Sequence, residues 1–174
     1  MLVEVHGAEG ARKAASQGAE GLVVRTPIAD VAGVGQLPVL MYGPSLESAT
    51  DSSADALVIN ASDDGADLAR LAEQAAEAGL ECVLKVRDED DLERALEHLD
   101  PEIFLLTAEG ADKEEHLARL LGLLPDIPAG KLAIAELADA SRSEIEALER
   151  AGIDAVLVQA GDVEQLVGDS PPEV

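Results

Sequence analysis

The chain has one cysteine, no tryptophan, one tyrosine and one phenylalanine among its 174 residues. A lone thiol, Cys82, excludes an internal disulfide and any cysteine-cluster metal site. With Tyr42 and Phe104 as the only aromatics, a surface for stacking nucleobases has too little to build on. Cations are also scarce. Twelve Lys and Arg stand against 36 Asp and Glu, a net charge of −24, and a field of that sign repels phosphate backbones and anionic lipid. Nucleic acid and membrane surfaces are therefore not expected as partners. Apolar runs are strand-sized, as at residues 155–158, well short of the roughly 18 residues of a membrane span. Met1 leads straight into Leu2-Val3-Glu4-Val5, without the basic segment and long apolar stretch of a secretory signal. The expectation is a cytoplasmic protein, a monomer or weak homodimer. The acid excess, with mostly arginine as cation and abundant alanine, reads as salt adaptation or GC-rich coding ahead of a cation-binding role.

What the chain does have is repetition. Short, β-branched apolar runs recur at residues 2–5, 22–25, 38–42, 56–60, 82–86, 103–107, 131–136 and 155–159. Segments of helical periodicity separate them, which is the mark of βαβ units. Residues 67–78 carry Leu68, Leu71, Ala72, Ala75 and Ala76 on one face; 90–99 and 143–151 repeat the pattern with Leu92, Ala95, Leu96 and Leu99, and with Ile145, Leu148 and Ala151. Ser141 with Glu144 fits a capping box, and Gly79 and Gly152 sit where helices end. Residues 29–36, with two glycines, and 45–53, rich in Ser, Thr and Asp, are each a single helical turn or a loop.

A shared grammar runs through 14–24, 76–84 and 149–157: a helix end, a glycine, an acidic residue, a buried strand. Asp55-Ala56-Leu57-Val58 is a shortened version. The repeat has a period near 22 residues, and no linker interrupts it. Eight such units suit a minimal (βα)8 barrel, closed so that no strand edge is left open, better than a five-stranded flavodoxin-like sheet. Residues 1–167 are expected to form that single domain and 168–174, with Pro171-Pro172, a frayed tail.

Barrel sites lie at the C-terminal ends of the strands. The polar residues there are Glu4, His6, Arg25, Thr26, Tyr42, Asn60, Lys85, Arg87, Thr107, Glu136 and Gln159. Lys85 and Glu136 interrupt apolar runs; a buried charge needs a partner, so if both point inward they should face each other or another ion. Cys82 falls on the opposite face from Lys85, toward the helices. His6, His98 and His116 are far apart, and 63–64 and 88–91 are acidic runs suited to capping helices. No metal or cofactor site is expected. Phosphate-binding glycine loops, a nucleophile elbow and zinc spacings are missing.

Residues 76–99, AEAGLECVLKVRDEDDLERALEHL, and 131–158, KLAIAELADASRSEIEALERAGIDAVLV, resemble indole-3-glycerol phosphate synthase of tryptophan biosynthesis. QLPVLMYG and SADALVIN resemble its third and fourth strand segments. The resemblance implies a (βα)8 barrel and a carbon–carbon lyase that closes a ring on a carboxylated phosphosugar, with a small phosphorylated metabolite as ligand. Such chemistry needs an acid to assist loss of a hydroxyl, cations for the carboxylate and donors for the phosphate.

The family's residues carry over unevenly. Glu4 and Glu136 match family glutamates. The general-acid lysine of the third strand is Tyr42 here, the fifth-strand glutamate is Lys85, and the sixth-strand asparagine is Thr107. His6 replaces the first-strand lysine, and Leu137-Ala138 replaces a Ser-Gly that helps bind phosphate. Gln159 replaces a phosphate-binding glycine, with Gly161 two residues along. The resemblance thus implies Glu4, Tyr42, Lys85 and Glu136 as the catalytic set, with His6, Arg87, Thr107, Gln159 and Gly161 around the substrate. Two expectations stand side by side: a lyase of weak or lost activity, or an inactive barrel serving as a small-molecule binder or interaction module. In the second, Glu4 and Glu136 simply pair with Lys85 or Arg87.

Overall fold

A run of four to six residues buried on both faces needs strand partners on each side and cover outside, and eight such runs meet that need by closing on themselves. The computed structural model describes residues 1–31, 33–43, 45–63, 65–108, 113–159, 161 and 163–166. In it the runs form eight parallel strands: β1 (Leu2–Glu4), β2 (Gly21–Val24), β3 (Val39–Met41), β4 (Ala56–Asn60), β5 (Glu81–Val86), β6 (Ile103–Leu106), β7 (Leu132–Leu137) and β8 (Ala155–Gln159). Each pairs with the next, and β8 pairs with β1 to close the barrel. The expected tail, 168–174, lies outside the described residues, as does Asp64 of the 63–64 pair.

Helices α1 (Ala8–Ser16), α2 (Leu46–Asp51), α3 (Gly65–Glu77), α4 (Glu89–Leu96), α5 (Lys113–Leu123), α6 (Arg142–Ala151) and α7 (Val163–Leu166) cover the outside. The capping box forms: the Ser141 hydroxyl accepts from the Glu144 N–H, and the Glu144 carboxylate accepts from the Ser141 N–H. Gly152 ends α6 in the left-handed region at φ 102°, a conformation glycine adopts without steric cost. Of the two open segments, 45–53 contains α2, capped by Ser45. Among the described residues of 29–36 there is no helix, because Asp30, Gly33, Gly35 and Gln36 all take positive φ and turn the chain repeatedly. Helix α4 stops at Leu96, short of the expected Leu99. None of the described helices is long and apolar enough to cross a membrane.

The strand registers stagger neighbours so that inward side chains of alternate strands share one level, four to a layer. Leu2, Leu40, Val83 and Ile134 make one apolar layer, and Val23, Val58, Leu105 and Leu157 the next. Above them the alternation delivers Glu4, Tyr42, Lys85 and Glu136, then Arg25, Asn60, Thr107 and Gln159. The lower barrel is therefore a packed hydrocarbon column and the upper barrel is polar. Outward residues, among them Leu84, Phe104, Leu106, Val156 and Val158, pack beneath the helices in the larger core, and Cys82 lies with them as expected. Burial, with Glu81 nearby, pushes its thiol up to about 11, so it is a protonated core side chain at neutral pH.

Two of the acidic residues before strands, Asp55 and Asp154, share a task. Asp55 precedes β4, and its Oδ2 accepts from the N–H of Val39 at 2.8 Å, while its own N–H donates to the Val39 carbonyl. Asp154 precedes β8 and does the same to Ala133, with Oδ2 2.8 Å from the amide. Each carboxylate satisfies an amide at the start of the preceding strand, the first of β3 and the second of β7, and so helps lock β3 to β4 and β7 to β8 in register. A hydrogen bond to a charged group contributes about 1.5–3 kcal/mol. Asp55→Ala and Asp154→Ala should each lower stability by about 1.5 kcal/mol in urea melts. Their effects should add in the double variant, because the two clamps lie on opposite sides of the barrel.

Candidate ligand site at the barrel mouth

The polar upper layers sit at the C-terminal ends of the strands. Glu4, on β1, is only 3% exposed. An ionised carboxylate so deep needs hydrogen-bond donors, and its Oε1 accepts from Nε of Arg25 at 3.0 Å. The same guanidinium reaches across to β7, where Nη2 donates to Oε1 of Glu136 at 2.9 Å. Glu136 Oε2 accepts from the hydroxyl of Tyr42 at 3.1 Å. The guanidinium also lies over the Tyr42 ring, 4.0 Å from its centroid, and Lys85 Nζ is 5.2 Å from that centroid. Four strands thus meet in one network: carboxylates from β1 and β7, a cation between them from the end of β2, and a phenol from the end of β3.

Burial works against the charge of Arg25, but hydrogen bonds to Glu4, the Coulomb attraction of Glu4 and the bond to Glu136 outweigh it and raise its pKa further. The guanidinium is permanently charged. Burial is also the main reason that the Tyr42 pKa is raised; the Lys85 bond and charge oppose this, and the Glu136 charge adds to it. Tyr42 is therefore a neutral O–H donor at physiological pH, and as an acid it is weaker than a free phenol.

Sequence reasoning expected Lys85 or Arg87 to neutralise the two glutamates. The structure gives that role to Arg25, which reaches both carboxylates from just above their layer. Lys85 approaches Tyr42 instead, and among the described residues it makes no ion pair. Arg87 turns back along the surface to α4, where Nε lies 2.8 Å from Oδ2 of Asp91. Asp91 is 3% exposed, also accepts from Arg94 at 3.2 Å, and donates its backbone N–H to Oδ1 of Asp88. Despite burial, which acts to raise it, the two arginines hold the Asp91 carboxyl below the usual range. Asp88 caps α4 as the acidic run suggested.

Thr107 is buried and Gln159 exposed in the upper layer, while His6 and Gly161 are exposed on the rim. His116, on α5, is not simply solvated: its Nε2 lies 3.0 Å from the carbonyl oxygen of Glu136 and ties α5 to the end of β7. Arg25 was in view as the polar end of a strand run but was not placed in the site. The signal was its two-residue step from inward Val23, which puts it in the barrel mouth.

Comparison with known proteins gives a consistent fold and an open function. No family model matches the chain. Indole-3-glycerol phosphate synthase from Pelodictyon phaeoclathratiforme (strain DSM 5477 / BU-1) is 35% identical over 111 residues, which are 63% of this chain and 43% of that synthase. The chain thus matches less than half the length of that relative. Among solved structures, the N-acetylmannosamine-6-phosphate 2-epimerase from Clostridium perfringens superposes with a TM-score of 0.73 at 12% identity, covering 94% of this chain and 87% of that one. A 3-hexulose-6-phosphate synthase gives 0.69 at 18% identity, covering 95% and 97%. At these identities the structural likenesses establish the barrel fold alone.

Two predictions follow from the network. Arg25→Met leaves Glu4 buried without its cation, and breaking such a pair costs about 3 kcal/mol. Adding Glu4→Gln should recover part of that loss, read from urea midpoints of the single and double variants. Because Tyr42 is the only tyrosine, absorbance titration reports it alone. Its midpoint should lie above 10 and should fall in Glu136→Gln, which removes the nearby negative charge. Since the folded-state pKa is the higher one, this group's stabilising contribution is present below the unfolded value near 10 and is lost as pH rises through the folded one.

Proposed function

We propose that the chain is an indole-3-glycerol phosphate synthase-like barrel in which phosphosugar ring closure is weak or lost, and that its mouth serves as a binding site for a small polar molecule. The observation carrying this reading is the engagement of Glu136. Its two oxygens are taken by Arg25 and Tyr42, so the glutamate that matches the synthase family faces an internal cation instead of an open pocket. The acid side of the chemistry is weakened in parallel. Tyr42 stands where the resemblance places a lysine, and burial makes its proton harder to release. The phosphate donors are replaced as well: Leu137 and Ala138 end β7, and Gln159 ends β8.

On this reading the protein works without a cofactor, in the cytoplasm, as a monomer or weak homodimer, and binds neither nucleic acid nor membrane. A phosphorylated ligand is disfavoured at the mouth, where Glu4 and Glu136 balance Arg25 and Lys85 and leave no excess positive charge.

The test is conversion of carboxyphenylamino deoxyribulose phosphate to indole-3-glycerol phosphate, followed by product fluorescence at low and high salt. Loss of a positioned general acid costs about 10²–10⁴-fold in rate, and turnover should fall below that of a lysine-bearing synthase by at least such a factor. A rate like that of an intact synthase, abolished by Lys85→Ala, overturns the reading and makes Lys85 an acid that has moved from the third strand to the fifth. Inorganic phosphate should leave the melting temperature unchanged beyond a chloride control of equal ionic strength.

A further inference from the structure

The mouth contains one group that its own network leaves unsatisfied. Oε2 of Glu4 is buried and has no hydrogen-bond partner among the described residues; the residue is 3% exposed and its other oxygen holds Arg25. Glu136 faces the same guanidinium, and the Tyr42 ring lies beneath it at 4.0 Å. Two carboxylates and an aromatic face around one cation are the walls of an organic-cation cage. The cation now inside it is the end of a flexible side chain, and Arg25 is 38% exposed whereas the glutamates on either side are 4% and 16% exposed. Arg25 is thus the outermost member of the ion-paired set.

We propose that this cage is a binding site for a small organic cation, a guanidinium or primary ammonium compound, which enters by displacing Arg25 from Glu4 and Glu136. The inference rests on the mouth being a ligand site and names the ligand's chemical class. The ligand supplies the missing donor to Glu4 Oε2, takes over the bond to Glu136 and stacks on Tyr42, while Arg25 swings out to solvent. The chain's net charge of −24 raises the local concentration of cations and lowers that of phosphorylated competitors. Lys85, on the Tyr42 side, repels a second cation, which limits the cage to one positive group.

Methylguanidinium chloride is the probe, with sodium chloride at equal ionic strength as control. Arg25→Ala empties the cage. Its melting temperature should lie below that of the unaltered protein, rise with millimolar methylguanidinium and not with sodium, and cease to respond when Glu4→Gln is added. Equal responses to the two salts, or a response that survives Glu4→Gln, overturn the proposal. The unaltered protein gives an independent reading should Arg25→Ala not fold. Tyr42 is the only tyrosine in a chain without tryptophan, so tyrosine emission reports the cage directly. A saturable emission change with methylguanidinium but not sodium supports displacement of Arg25, and a flat titration overturns it. A companion titration with carboxyphenylamino deoxyribulose phosphate separates the two readings. If the phosphosugar binds and methylguanidinium does not, the cation assignment fails and the mouth has kept a phosphosugar site; if neither binds, the cation assignment fails while the reading of weak or lost ring closure stands.

Discussion

Two carboxylates at the top of a closed barrel cannot stay ionised without a cation of their own, and Arg25 supplies it from a neighbouring strand. The requirement follows from geometry. In a barrel of this size, inward side chains fill the lumen in layers, so Glu4 and Glu136 are held inside whether or not a ligand is present. Lys85 shares their layer and completes the balance of charge, but it lies against Tyr42 and leaves the ion pairing to the guanidinium. The result is an upper barrel that is internally neutral and a lower barrel that is wholly apolar. The network spans β1, β2, β3 and β7, so the pair that solves the electrostatic problem also fastens distant strands together.

The rest of the architecture shows how few devices a short barrel needs. Strands of three to six residues have little ladder to hold their register, and the Asp55 and Asp154 clamps supply it from outside the ladder. The two clamps occupy corresponding places, before β4 and before β8, where the acid that precedes the strand is an aspartate. Where the helix–glycine–acid–strand grammar fails, between β2 and β3, the described chain turns through positive-φ residues without a helix. The barrel nevertheless closes, because closure depends on strand pairing and the inner column, both of which are complete without that helix.

At the mouth the acids are engaged with Arg25, Tyr42 is a phenol with a raised pKa, and Leu137 and Gln159, which end β7 and β8, carry no charge. What the mouth holds is the Arg25 guanidinium itself, over the Tyr42 ring and between Glu4 and Glu136.

The barrel was legible in the sequence because it rests on local, periodic properties: apolar runs at a regular spacing, a two-residue alternation within each, and glycine or Ser–Glu signals at helix ends. Glu4, Tyr42, Lys85 and Glu136 stood out as polar ends of strand runs and as the set that the resemblance implies, and the structure finds them in a single layer. Their partners were not legible. Which cation neutralises Glu4 and Glu136 depends on the stagger between strands, on side-chain reach and on competing acids outside the barrel, and these are fixed only when all eight strands meet. So Arg87, plausible by position, is drawn to Asp91 on the adjacent helix, while Arg25, 111 residues from Glu136 in sequence, becomes its ion-pair partner. The sequence by itself determined the fold and the composition of the mouth; the tertiary structure decided the pairing within it, because Coulomb energy depends on distances that no local pattern encodes.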